Sequence, residues 1–328
     1  MKHRVLALAG GVGGAKLAAG LAHLLEDKLA VLVNTGDDFE HLGLHVSPDL
    51  DTVVYTLAGL ANPATGWGLA GESWAFMEQV EKLGGETWFR LGDRDLATHA
   101  IRTDRLRRGE RLSAVTAQFC QKLGIAATVL PMTDDRVRTV VHSGVDDMPF
   151  QDYFVRRKCA PEVTGLSFEG ADEATIVAGL DAVLGAGVEG GIEAVIVCPS
   201  NPWLSIAPIL ALPGLRERIA ATGAPVIAVS PIVGGKAIKG PAAKIMRELG
   251  TKPSALGVAR HYAGFLDGFV IDRLDASQAD DIAALGMTVR VAQTVMSTPS
   301  DRVALARECL AFAAALTAAK TGSDQVPR

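Results

Sequence analysis

Four apolar runs in this chain each lead directly into a loop of small, polar or charged residues. Residues 4–9 lead into Gly10-Gly11-Val12-Gly13-Gly14-Ala15-Lys16, and residues 29–33 into Asn34-Thr35-Gly36-Asp37-Asp38. Residues 194–198 lead into Pro199-Ser200-Asn201-Pro202, and residues 225–229 into Ser230-Pro231-Ile232-Val233-Gly234-Gly235-Lys236. Short, continuously apolar strands alternating with helical stretches fit a parallel sheet covered on both faces. In such a sheet all four loops leave from one edge, where open α/β folds bind their ligands. The expected fold is α/β, a doubly wound, Rossmann-like and mostly parallel sheet. The expected ligand is a phosphate-bearing small molecule.

The chain has 328 residues, 48% of them apolar and only 5% aromatic, which suits buried strands and helices built from Ala, Val, Leu and Gly. Its formal net charge of −5 argues against a general nucleic-acid binder. Arg102, Arg105, Arg107 and Arg108 cluster, and they read as a solvated helix face. The cysteines Cys120, Cys159, Cys198 and Cys309 show no C-x-x-C spacing and read as reduced core thiols. Neither a secretory leader nor a bilayer-spanning run is present, so no membrane partner and a cytoplasmic location are expected.

Helical spacing is expected over residues 15–25, 48–60, 71–83, 113–123, 171–184 and 301–320, with a strand over 127–130. Alternation between 135 and 170 suggests short strands of an added sheet. The expected organisation is one domain over residues 1–320. Its core comprises about 1–60 and 190–275, an α+β region is inserted at about 60–185, and 321–328 form a disordered tail.

The first loop resembles two phosphate-binding fingerprints and matches neither. A G-x-G-x-x-G beginning at Gly11 would need Gly where Lys16 stands, and a P-loop would need Ser or Thr where Leu17 follows Lys16. Its physics survives the mismatch: glycines admit close backbone approach, N–H groups at a helix start favour an anion, and Lys16 adds positive charge. Asp37 and Asp38, with Asp49 and Asp51 shortly after, suggest oxygen ligands for Mg2+ beside substrate phosphates, although Asp49 and Asp51 could equally cap a helix. His41 and His45 lie in a stretch bounded by Gly and Pro and do not read as a helical metal pair. The block from Leu91 to His99 fits either a surface turn or a substrate contact. Lys236, Lys239 and Lys244 form a second basic, glycine-rich segment. No Ser–His–Asp set or thiol nucleophile stands out, so no covalent intermediate is expected.

Taken together, the blocks at 10–16, 34–38, 48–53, 91–99, 130–135, 199–206 and 230–235 resemble the CofD family of 2-phospho-L-lactate transferases, over about residues 4–300. The resemblance implies a Mg2+-dependent transfer in the synthesis of coenzyme F-420. A guanosine-diphospho-linked three-carbon acid (2-phospho-L-lactate, phosphoenolpyruvate or 3-phosphoglycerate) would be joined to the deazaflavin Fo, with release of GMP. It further implies a homodimer. Carried over by position, Asp51 and Asp37 would be catalytic and metal-binding acids, and Asp51 and Arg90 would contact Fo. Arg90 stands where the family often has Lys, and its planar fork makes a different contact. Gly10, Gly11, Gly13, Gly14, Lys16, Ser200, Asn201, Ser230 and Gly234 would surround the guanosine diphosphate group. The other reading is a non-catalytic nucleotide-sugar-binding regulator of the gluconeogenesis-factor-like branch.

Overall fold

Seven short strands form the centre of the molecule, in a computed structural model that describes residues 3–144, 146–185 and 191–323. They are β1 (Val5–Ala9), β2 (Leu29–Val33), β3 (Thr128–Pro131), β4 (Ala194–Val197), β5 (Val226–Val229), β6 (Gly268–Asp272) and β7 (Thr288–Ala292). Their order across the sheet is β7-β6-β5-β4-β1-β2-β3, and every neighbouring pair is parallel. The α/β expectation therefore holds. β1, β2, β4 and β5 are buried at every position because both faces are covered. Alternate side chains enter different cores: Leu6 and Leu8 face one, and Val5, Ala7 and Ala9 the other.

Helix α1 (Gly11–Leu25) follows β1, and α2 (Pro48–Leu57) packs beside it. Helix α3 (Asp95–Arg107) starts within the charged block, and α4 (Pro299–Ser323) closes the described chain against α1. The α1–α4 contact is close. A Cβ on Gly20 would stand 2.1 Å from the Arg302 carbonyl oxygen, a backbone atom that cannot rotate away. Gly20→Val should therefore cost about 1–3 kcal/mol through overpacking. A lowered urea midpoint would show it, and an unchanged midpoint would contradict this packing.

Several boundaries differ from the sequence expectation. Strand β3 lies within the stretch 60–185 yet pairs with β2 in the main sheet, and β7 extends that sheet beyond residue 275. The inserted part is thus split in two, because β3 carries an apolar strand that the sheet edge can bury. Of the helix expected over 171–184, only Leu180–Leu184 forms. Thr175 instead donates its N–H and hydroxyl to Asp135, and Thr133 donates to the Thr175 carbonyl, so that backbone bonds to the 133–135 turn. The added sheet exists as three antiparallel strands, Asp147–Pro149, Arg138–His142 and Gly165–Glu169. The last helix continues to Ser323, and the expected tail beyond it lies outside the described residues. No helix among the described residues is long and apolar enough to cross a membrane.

Candidate active site

The order of the sheet reverses between β1 and β4, and a cavity of about 750 Å³ opens there at the carboxyl ends of the strands. That is where doubly wound sheets bind ligands. Gly10, Gly11, Gly13, Lys16, Asp37 and Asp51 line it. Arg90, Ser200, Asn201 and Ser230 line it as well, whereas Gly14 and Gly234 do not. The Gly234 N–H instead donates to Asp275 Oδ2 at 3.0 Å, and that glycine holds a φ of +56°.

The glycine-rich segment is the first turn of α1, so the helix begins four residues earlier than its apolar spacing suggests. Gly11 has a φ of +61°, a conformation that other residues rarely adopt. Cβ atoms on Gly13 and Gly14 would lie 2.3 Å from the Pro199 carbonyl oxygen and 2.3 Å from Ser200 Oγ. These glycines therefore let the α1 start nest against the loop after β4. Ser200 Oγ accepts from the Gly10 N–H at 3.0 Å. Asn201 Oδ1 accepts from the Trp203 and Leu204 N–H groups, while its Nδ2 is buried with no partner. The positive end of the α1 dipole thus faces the cavity. Lys16 Nζ donates to the Met296 carbonyl at 2.9 Å, and burial lowers its pKa, reinforced by the charges of Arg302 and Lys239.

Acids from the loop after β2 and from α2 sit against this turn. Asp49 Oδ1 accepts from the Gly11 N–H at 2.7 Å and Oδ2 from Asn34 Nδ2 at 3.0 Å, so it ties the two loops together. Burial pushes the Asp49 carboxyl up to about 6 against the pull of those donors. Asp37 is buried and rises well above the ordinary carboxylate range, first through burial and then through the charge of Asp49. Asp37 Oδ1 and Asp38 Oδ1 are buried without hydrogen-bond partners. The other Asp38 oxygen accepts from Ser47 Oγ at 2.8 Å and meets His45 Nε2 at 3.1 Å. Orphaned carboxylate oxygens in a buried acid cluster fit a divalent cation.

Asp51 stands in a different environment. The Arg102 guanidinium grips both of its oxygens, and His99 Nδ1 lies 3.7 Å away. His99 Nε2 is 3.4 Å from Asp95, which accepts from the Tyr55 hydroxyl at 2.5 Å. Burial pushes the Asp51 carboxyl up, and Arg102 and His99 pull it back down. Asp51, Asp95 and His99 offer ligand atoms within 4.8 Å of one another, but the Arg102 cation already occupies that cluster. It is an ion-pair network, and a metal there would have to displace the guanidinium.

Arg102 corrects the expectation of a solvated arginine face, because it is 2% exposed. The signal that could have found it was spacing: Asp95, His99 and Arg102 lie at i, i+4 and i+7, one face of α3. The rest of the charged block divides by role. Asp93 accepts from the Ala75 and Phe76 N–H groups and caps the helix Ala75–Lys82. Glu72 accepts from the N–H groups of Arg94 and Asp95 at the start of α3. Arg90 lies on the rim, its guanidinium 4.2 Å above the Trp74 ring. Trp88, Phe89, Phe150 and Phe154 also line the cavity, a concentration that composition could not reveal.

A doubly wound sheet with a polar-ended cavity at its reversal point defines an α/β protein built to hold a charged small molecule. A family model described as 2-phospho-L-lactate transferase CofD matches residues 5–295. The chain belongs to the CofD family, and it is a transferase. It is 41% identical over 318 residues to a phosphoenolpyruvate transferase of Streptomyces griseus subsp. griseus, covering 94% of this chain and 98% of that one. It is 40% identical over 313 residues to a 2-phospho-L-lactate transferase of Methanopyrus kandleri, covering 94% of this chain and 97% of that one. A solved member of the UPF0052 family from Bacillus halodurans shares the fold, with a TM-score of 0.57 at 14% identity. That match covers 93% of this chain and 99% of the other.

Proposed function

We propose that this chain transfers a phosphoenolpyruvyl- or phospholactyl-type group from its guanosine-diphospho donor to the primary hydroxyl of the deazaflavin Fo. The hydroxyl oxygen attacks the phosphorus next to the three-carbon acid, the bond to GMP breaks, and a phosphodiester forms. The product is coenzyme F-420-0, or its dehydro or glycerate analogue. The observation that carries this reading is the meeting of the α1 N-terminal turn with the buried acids, joined by the Gly11–Asp49 hydrogen bond. A diphosphate has charge for the turn to hold, and a cation between diphosphate and acids would complete the balance. The aromatic rim beside Arg90 suits a flat acceptor ring.

Mg2+ fits the acids through the unpartnered Asp37 Oδ1, with Asp49 as the adjacent carboxylate. Asp51, whose oxygens both accept from Arg102, instead contacts the acceptor. When bound, the cation supplies neutralisation of charge on the transferring phosphate. Asp37 and Asp49 both hold their protons to higher pH than ordinary carboxylates, Asp49 to about 6. A protonated carboxyl offers the cation no charge and a poorer ligand, so Mg2+ affinity should fall as pH drops below about 6. Calorimetry in buffers of different ionisation heat should detect proton release on binding, and a pH-independent affinity would contradict this pairing.

The function is tested by incubating the purified protein with Fo, Mg2+ and each guanosine-diphospho donor, then weighing the products by mass spectrometry. GMP and a phosphodiester of Fo are expected with one of the three acids. Silence with all three, together with tight binding of a nucleotide sugar, would favour the regulator reading.

A further inference from the structure

The loop at residues 62–68 and the segment 232–241 come from distant parts of the chain and meet above the first turn of α1. Lys239 Nζ donates to the Thr65 carbonyl oxygen at 2.6 Å. A Cβ on Gly66 would lie 2.6 Å from Val12 Cγ1 and 3.2 Å from Lys239 Nζ, so the loop tip rests on both. The loop is closed on itself, with Gly66 N–H donating to the Asn62 carbonyl at 2.8 Å and Asn62 N–H to the Gly68 carbonyl at 3.0 Å. These bonds brace the loop internally. Trp67 on this loop and Ile238 beside Lys239 line the cavity yet are 53% and 55% exposed. Large apolar side chains left half in water at a cavity mouth serve no core packing.

We propose that Lys239 is a phosphate ligand for the donor and a latch for the 62–68 loop. Its ammonium exchanges the Thr65 carbonyl for a phosphate oxygen of a nucleoside diphosphate seated on the α1 turn. The freed loop then brings Trp67 onto the ligand. An ammonium–phosphate bond is charge-assisted on both sides and stronger than one to a neutral carbonyl, so the exchange runs toward the phosphate. Lys239 lines the same cavity as Gly10, Gly11, Gly13 and Lys16, which puts its ammonium on the site of that anion. The inference rests on the diphosphate-donor reading above and adds to it a residue and a motion.

GDP with Mg2+, and inorganic pyrophosphate with Mg2+, are the probes. Wild-type protein should bind both, and the difference in emission between wild type and W67F should report a Trp67 change on binding. K239Q, which keeps most of the stem, should bind both probes about tenfold more weakly and lose the Trp67 change. Unchanged affinity for both probes in K239Q would overturn the latch while leaving the donor reading intact. Weakening for GDP alone would place Lys239 on the nucleoside and also overturn it. Failure of the wild-type protein to bind either probe would remove the donor reading and the latch together.

Discussion

Replacing Arg102 by methionine should destabilise the protein by about 3–5 kcal/mol, because it leaves the Asp51 carboxylate buried without its counter-charge. Arg102 is 2% exposed and holds both Asp51 oxygens, so its removal takes away their charged donor. The cost comes from the stranded partner and not from lost volume, since methionine fills much of the same space. Arg102→Met combined with Asp51→Asn should therefore recover most of the stability while restoring no turnover. Urea unfolding of the two single variants and the double variant would measure the coupling. Additive losses would show that the pair contributes nothing as a pair. Arg102→Lys offers a finer test. It keeps the charge and loses the planar fork, so it should fold but turn over slowly.

Asp37→Asn should lower turnover by about 10²–10³-fold, the scale seen when one electrostatic contact to a charged transition state is removed. The same change should leave thermal stability equal or higher. Asp37 has an unpartnered buried oxygen, and burial and the charge of Asp49 outweigh the Asn34 and Thr139 hydrogen bonds that favour its charge. Loss of activity with gain of stability is the mark of a residue kept for function. If Asp37→Asn unfolds the protein, or leaves turnover untouched, Asp37 holds structure and not a cation.

The sheet was legible in the sequence because parallel strands buried on both faces are apolar without interruption, and β1, β2, β4 and β5 all have that form. Their common edge followed from the parallel geometry alone, and with it the convergence of Gly10, Lys16, Asp37 and Ser200. The start of α1 was not legible, since glycine has poor helix propensity and Gly11 through Gly14 read as loop. Tertiary contact decides there: only glycine fits the turn against Pro199 and Ser200. Arg102 was misread because charge runs usually face water, and a buried ion pair spans Asp51 and α3, far apart in sequence. Asp49 looked like a helix cap. It does bond an N–H at a helix start, but that helix is α1 and not its own. Gly234 followed the pattern of a basic glycine-rich loop, yet its N–H is taken by Asp275. Patterns within one segment reveal the elements, and pairings between segments decide the roles.

The most direct measurement is a crystal structure with GDP and Mn2+, using the anomalous signal of manganese to locate the cation. The diphosphate should lie on the Gly10–Gly13 turn with manganese bound to Asp37 Oδ1. Manganese held by Asp51, Asp95 and His99 with Arg102 expelled, or nucleotide seated away from the Gly10–Gly13 turn, would contradict the account.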